Sequence, residues 1–317
     1  MSIQTLRKKI ADCQNPTVAG LDPDFSKLPS FLCRQAIERY GKTLEAAADA
    51  VWQFNKAIIN ALCDIVPAVK PQAAYYELLG WPGMRALSET IAYAHQKGLF
   101  VITDGKRGDI GTTMSAYARA HLGTVEVDGS ILTPFGADAL TINAYLGSDG
   151  VLPALEVCKA RDTCIFVLGK TSNPSSGEIQ DKLVDGEPVY AMLGDLCEHW
   201  SQMAEGGTSL LSLSANKGRY GMVGLVAGAT YPSQLAELRQ KLPHTFFLVP
   251  GYGAQGGGAK DVAPAFDENG DGAIINSSRA ILYAWQKEQC DERDFAGAAR
   301  REALRMKENL NAVLQNR

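Results

Sequence analysis

The sequence predicts a (β/α)8 barrel: a single domain over residues 1–317, with an extra helix at its C-terminus. Three observations point there. Eight short, β-rich apolar runs alternate with longer stretches of helical periodicity. Polar or charged residues stand at nearly every run's C-terminal end, the face on which barrels carry their sites. No low-complexity linker divides the chain, and 317 residues suffice for one large barrel. A doubly wound sheet uses the same alternation and is the main rival.

In order, the runs are "TVAGLD" (17–22), "PAVKPQ" (67–72), "LFVITDGK" (99–106), "ALTINAY" (139–145), "CIFVLGKTS" (164–172), "MVGLVAGAT" (222–230), "TFFLVPGYG" (245–253) and "GAIINSSR" (272–279). Segments such as "TLEAAADAVWQFNKAIINALCDI" and "VYAMLGDLCEHWSQMAEG" return apolar residues at three- and four-residue steps, as buried helix faces do. The stretch "NPSSGEIQDKLVDGEP" (173–188) is polar and rich in Gly and Pro; it reads either as an active-site loop or as a surface insertion. "DFAGAARREALRMKENLNAVLQNR" is expected to pack outside the barrel as an amphipathic helix.

The strand ends carry the candidate site. Asp22 ends the first run, Lys70 comes late in the second, and Asp104 and Lys106 end the third. Asn143 lies near the end of the fourth, Ser172 closes the fifth, Gln255 follows the seventh and Arg279 ends the eighth. Alternate strand residues face one side. Ile102, Asp104 and Lys106 therefore share a face, as do Val18, Gly20 and Asp22, and Val66, Ala68 and Lys70. Charges held there without partners are costly, which favours a paired network around a ligand.

Composition narrows the classes. With 46% hydrophobic and 21% charged residues and a net charge of -4, the chain reads as a soluble globular protein. That balance offers no broad attraction to nucleic acid or to an anionic membrane, so neither is expected as a partner. No apolar run is long enough to span a bilayer. "MSIQTLRKKIADCQ" lacks the apolar core and cleavage site of a secretory signal. Seven scattered cysteines without a CxxC pair suggest reduced thiols, and a cytoplasmic location is expected. Four isolated histidines show no zinc-ligand spacing, so no metal is expected.

"GYGAQG" (251–256) satisfies GxGxxG, but it follows the seventh run rather than the first, and the next run ends in "NSSR" instead of an acidic residue. A phosphate cradle fits better: backbone N–H groups of "GAQGGG", with Arg279 as a fixed cation. A plain Gly-rich turn is the alternative.

Together these residues resemble one family. "DGKRGDIGTT" carries the DxKxxD core of the orotidine 5′-phosphate decarboxylases, in the "KRGDIG" form of the longer bacterial (type 2) branch. "LDPD", "VKPQ", "TSNPS", "VPGYGAQGGG" and "INSSRAI" occur in the family's order, so the resemblance runs from Val18 to Leu282. DxKxxD by itself is shared with related barrels acting on sugar phosphates. The resemblance implies cofactor-free decarboxylation of orotidine 5′-phosphate to uridine 5′-phosphate, the last step of pyrimidine nucleotide synthesis. It implies Lys70, Asp104, Lys106 and Asp109 as an alternating charged catalytic tetrad, with Lys106 stabilising and protonating the C6 carbanion. Asp22 and Lys70 would bind ribose hydroxyls and Ser172 the pyrimidine, Gln255, Gly256, Gly257 and Arg279 would form the phosphate side, and Ser278 would also be substrate-binding. Thr113, beside Asp109, would approach the ribose in a neighbouring subunit's site, which implies a homodimer with shared sites. Shorter members carry His where this chain has Asn173. The rival readings are a Mg2+-dependent sugar-phosphate barrel and a non-catalytic phosphate-binding barrel.

Overall fold

Eight parallel strands close into a barrel: β1 (Thr17–Leu21), β2 (Ala68–Pro71), β3 (Phe100–Arg107), β4 (Ala139–Ile142), β5 (Cys164–Lys170), β6 (Val223–Ala227), β7 (Phe247–Val249) and β8 (Ala273–Ser277). Each pairs with its neighbour in sequence, and β8 closes on β1 through Thr17↔Ile275 and Ala19↔Ser277. The computed structural model describes residues 2–205, 220–253 and 256–315. Seven of the eight predicted runs contain their strand whole; the third strand runs one residue past its predicted run, to Arg107.

The strands are apolar on both faces because helices cover them outside and side chains fill them inside. Inward residues Val18, Ala68, Phe100, Ile102, Ala139, Cys164, Phe166, Val226, Leu248 and Ile274 form one buried cluster. This is the layered packing that makes such a barrel solid rather than a pore. Its floor is sealed by the N-terminal helix Ile3–Cys13, whose Ile3 and Leu6 join the same cluster. Arg7 fastens that helix to Asp271 (Nε–Oδ2 2.8 Å) and Gln4 to the Tyr220 carbonyl (2.9 Å). The sequence reading assigned this helix no role.

Outside, the helix Leu44–Leu62 starts at Thr43, whose hydroxyl accepts from Ala46 N, with Glu45 in its first turn. Its buried Val51, Phe54, Ile58 and Leu62 recur at three- and four-residue steps. The C-terminal helix Phe295–Leu314 packs outside the barrel, as expected; Phe295 stacks on Phe54 with ring centroids 5.0 Å apart. In that place it completes the helical ring beside the helix Leu44–Leu62. Among the described residues, no helix is long and apolar enough to cross a membrane.

Candidate active site

The mouth of the barrel holds a row of charges organised by one carboxylate. Asp104 near the end of β3 accepts from Lys70 Nζ (2.6 Å) and Gln72 Nε2 (2.9 Å) on one oxygen. Its other oxygen accepts from Lys106 Nζ (2.7 Å) and the Thr141 hydroxyl (2.8 Å). Asp104 is 7% and Lys70 4% exposed, whereas the Lys106 side chain remains 46% exposed. Burial opposes the ionised form of Asp104, but the two ammoniums outweigh it and hold the carboxyl well below the usual carboxylate range. Burial likewise opposes the Lys70 ammonium, and the charges of Asp104 and Asp22 outweigh it, raising that lysine above its ordinary value.

Lys106 does not follow Asp104 by plain strand alternation. Its φ is 46°, the left-handed region that side chains rarely occupy, and the β3–β4 register shifts between Thr103 and Arg107. Its backbone N–H donates to the Thr141 hydroxyl at 2.9 Å. A bulge, secured by Thr141, thus brings Asp104 and Lys106 to the same side. Residues in such sparsely populated backbone regions cluster at working sites, where the surrounding contacts maintain the strain.

A cavity of about 470 Å3 opens over this row, lined on the β1 and β8 side by Asp22, Asn276, Ser278 and Arg279. The volume suits a small organic ligand. Among the described residues, Asp22 Oδ1 and Asn276 Oδ1 are buried without hydrogen-bond partners, acceptors that a ligand's hydroxyl groups can satisfy. Gly20 makes room for this wall: a Cβ there would stand 1.8 Å from Ser278 Oγ. Among the described residues Arg279 makes no ion pair, leaving its guanidinium available to an anion. On the opposite side lie Thr171, Ser172, Asn173 and Gln180.

A model of the orotidine 5′-phosphate decarboxylase / HUMPS family matches residues 47–290. The chain belongs to this family. The orotidine 5′-phosphate decarboxylase of Rhodopirellula baltica is 47% identical over 298 residues, covering 93% of this chain and 93% of that one. Its counterpart in Caldicellulosiruptor bescii is 33% identical over 312 residues, covering 98% of this chain and 97% of its own. Among solved structures, Leishmania donovani OMP decarboxylase superposes with a TM-score of 0.73 at 29% identity, covering 99% of both chains.

Of the residues the family resemblance singled out, Asp22, Lys70, Asp104, Lys106, Ser172, Ser278 and Arg279 all line the one cavity. Asp109 and Thr113 do not; Asp109 caps its own turn by accepting from Ile110 N (2.7 Å), and Thr113 is exposed. Gln255 lies outside the described residues. In the glycine loop, Gly253 N donates to Gly257 O (2.7 Å), Gly256 N to Gly253 O (2.9 Å), and Gly258 N to Asp261 (2.7 Å). Those three N–H groups therefore serve the loop itself instead of standing open as a cradle. Asn143 also differs from expectation: its side chain accepts from Tyr145 N (3.0 Å), and Thr141, two residues earlier, is the one at the cavity. Thr141 and Asn276 were legible in principle, since each sits two residues from a polar strand-end residue on the same face. Gln180, inside the 173–188 segment, had no such signal.

Proposed function

We propose that this chain removes CO2 from orotidine 5′-phosphate to give uridine 5′-phosphate, in pyrimidine nucleotide synthesis, as a single barrel domain over residues 1–317. The observation that carries the reading is the buried Asp104 carboxylate set between Lys70 and Lys106 at the cavity. Breaking the C6–carboxylate bond leaves an electron pair in the plane of the pyrimidine, where the ring's π system cannot disperse it. Positive charge has to be supplied at that carbon. Lys106 supplies it, and then transfers an Nζ proton to C6, completing the product. Asp104 keeps Lys106 charged and aimed, while Lys70 and Thr141 fix Asp104. The carboxylate of Asp104 also stands near that of the substrate; repulsion there adds to the drive for CO2 loss.

Asp22 and Lys70 bind the ribose hydroxyls, Ser172 faces the pyrimidine, Arg279 and Gln255 hold the phosphate, and Ser278 contacts the substrate from the same wall. The phosphate grip lies away from the reacting carbon, so its binding energy serves positioning. Asp109 and Thr113 belong to the neighbouring subunit's site in a homodimer. Their absence from their own chain's cavity supports this, as do the exposed apolar side chains of Ile110, Tyr117, Tyr145 and Leu146 nearby. The enzyme works in the cytoplasm.

The test is the ultraviolet absorbance of orotidine 5′-phosphate with purified protein and a chelator. Conversion to the uridine 5′-phosphate spectrum is expected. No spectral change, or a change abolished by the chelator, would transfer the chain to the sugar-phosphate reading.

A further inference from the structure

The segment 173–188 is folded back onto the end of β5 and contributes Gln180 to the cavity. The orientation of that carboxamide follows from its partners. Thr171 N–H needs an oxygen, so Gln180 Oε1 accepts from it (2.9 Å), and Nε2 then donates to the Thr171 hydroxyl (2.7 Å). That hydroxyl in turn donates to Asn173 Oδ1 (2.6 Å), whose Nδ2 donates to Ser175 Oγ (3.1 Å). The amide cannot flip without breaking the chain of bonds, and the second N–H on Nε2 has no protein partner among the described residues.

The next residue anchors the loop. Asp181 Oδ1 pairs with Lys170 Nζ (2.6 Å), and Lys170 is only 1% exposed. The ammonium sits 4.3 Å from the Tyr231 ring centroid and 5.8 Å from that of Tyr190. Tyr190 N also donates to the Gln180 carbonyl (3.0 Å). Gln180 is therefore held at its backbone, at its side chain and through its neighbour. No step of the proposed mechanism uses Lys170 or Asp181.

The closed strand order places β5 diametrically opposite β1. With the ribose at Asp22 on β1 and the phosphate at Arg279 after β8, the ring edge directed at β5 is the one farthest from the ribose-bearing nitrogen. On a uracil-type ring that edge carries the 4-oxo group. Building on the decarboxylase reading, we propose that Gln180 is a specificity residue. Its free Nε2–H donates to the 4-oxo oxygen, selecting a 4-oxopyrimidine nucleotide over a 4-aminopyrimidine one, and the Lys170–Asp181 pair is the positioning device behind it. A 4-amino group would set N–H against N–H, which the fixed amide cannot relieve by rotating.

The experiment is calorimetric binding of uridine 5′-phosphate and cytidine 5′-phosphate to the full chain. The wild type is expected to prefer the uridine nucleotide. Gln180→Ala should weaken that nucleotide about five- to tenfold, the scale of one neutral hydrogen bond, with less than about twofold change for the cytidine one. Gln180→Glu, which offers an oxygen where the N–H stood, should move the ratio further toward cytidine. Asp181→Asn should lower the same ratio; if it melts early, Lys170→Met/Asp181→Asn, which removes both charges, is measured in its place. Equal losses for both nucleotides, or none, would overturn the assignment of Gln180. An unchanged ratio in a folded Asp181 variant would overturn the role of the pair. Because these are binding ratios, they stand apart from turnover: a shifted ratio in a protein that never decarboxylates would sink the decarboxylase reading alone.

Discussion

Two buried lysines, Lys70 and Lys170, each pair with an aspartate in this barrel, and the two pairs serve different ends. Lys70–Asp104 and Lys170–Asp181 both close at 2.6 Å, and their lysines are 4% and 1% exposed. The first faces the cavity and the second does not line it. Both neighbourhoods contain a register shift. In β3 it lies between Thr103 and Arg107 and keeps Lys106 beside Asp104. In the β5–β6 pairing it lies between Val226 and Ala227, opposite Leu168 and Lys170. Plain alternation from Phe166 and Leu168 would point Lys170 inward; past the shift it meets Tyr190, Tyr231 and the loop instead. Charge balance differs too. Asp104 serves two ammoniums and leaves positive charge at the mouth, whereas Asp181 and two aromatic faces satisfy Lys170 in place. An ion pair's geometry alone does not reveal its task; the side of the sheet it occupies does.

The largest effect should come from Lys106, the cation with a task beyond pairing. Lys106→Ala should lower turnover on the order of 10⁴-fold while uridine 5′-phosphate still binds, because both the proton donor and its charge disappear. Lys170→Met, read in the same steady-state assay, should cost far less. Near-normal turnover in the first variant would erase the distinction between the two pairs.

Stability sharpens the contrast. Asp104→Asn leaves Lys70 buried without its anion and should destabilise the fold by about 3–5 kcal/mol in denaturant melts. Asp181→Asn should cost less, since the Asp181 side chain is 39% exposed and water can replace part of its contacts. The pH dependence follows from the same carboxyl. Asp104 is held below the ordinary carboxylate range when folded, so its ionised form stabilises the protein above about pH 4. That contribution is lost as pH falls below this range toward the lowered folded value. The acid limb of the wild-type stability curve should therefore be steeper than that of Asp104→Asn, and equal limbs would contradict the pairing.

Arg279 extends the comparison to a cation without a protein anion among the described residues. Arg279→Ala should reduce kcat/KM for the nucleotide about 10- to 100-fold and change that for orotidine little, because orotidine has no phosphate to hold. Similar losses on both would mark a structural arginine. The smallest expected signal concerns Asp109, the anion that its own cavity excludes. Lys106→Ala and Asp109→Ala, each nearly inactive alone, are refolded together. In a shared-site homodimer, a mixed dimer has one site with both defects and one with neither, so random pairing restores roughly a quarter of normal activity. No recovery, with subunit exchange confirmed, would return Asp109 to its own chain.

The sequence by itself determined the barrel. Parallel strands buried on both faces have to be continuous apolar runs, and helices covering them have to repeat at three and four, so both patterns are written locally. Polar residues ending those runs are local as well, and Asp22, Lys70, Asp104, Lys106, Ser172, Ser278 and Arg279 were legible on that ground together with the family's motifs. Tertiary structure decided what local period cannot encode. Alternation gave Lys106 the right side for an incomplete reason, since a left-handed residue and a shifted register put it there. It gave Asn143 a place that Thr141 holds, and it would have sent Lys170 inward. The sealing of the floor by Ile3 and Leu6, the self-bonded glycine loop and the inward reach of Gln180 join residues far apart in the chain or fixed by loop geometry. A strand's period repeats every two residues, but a bulge or a loop contact is set by partners that the local pattern does not contain.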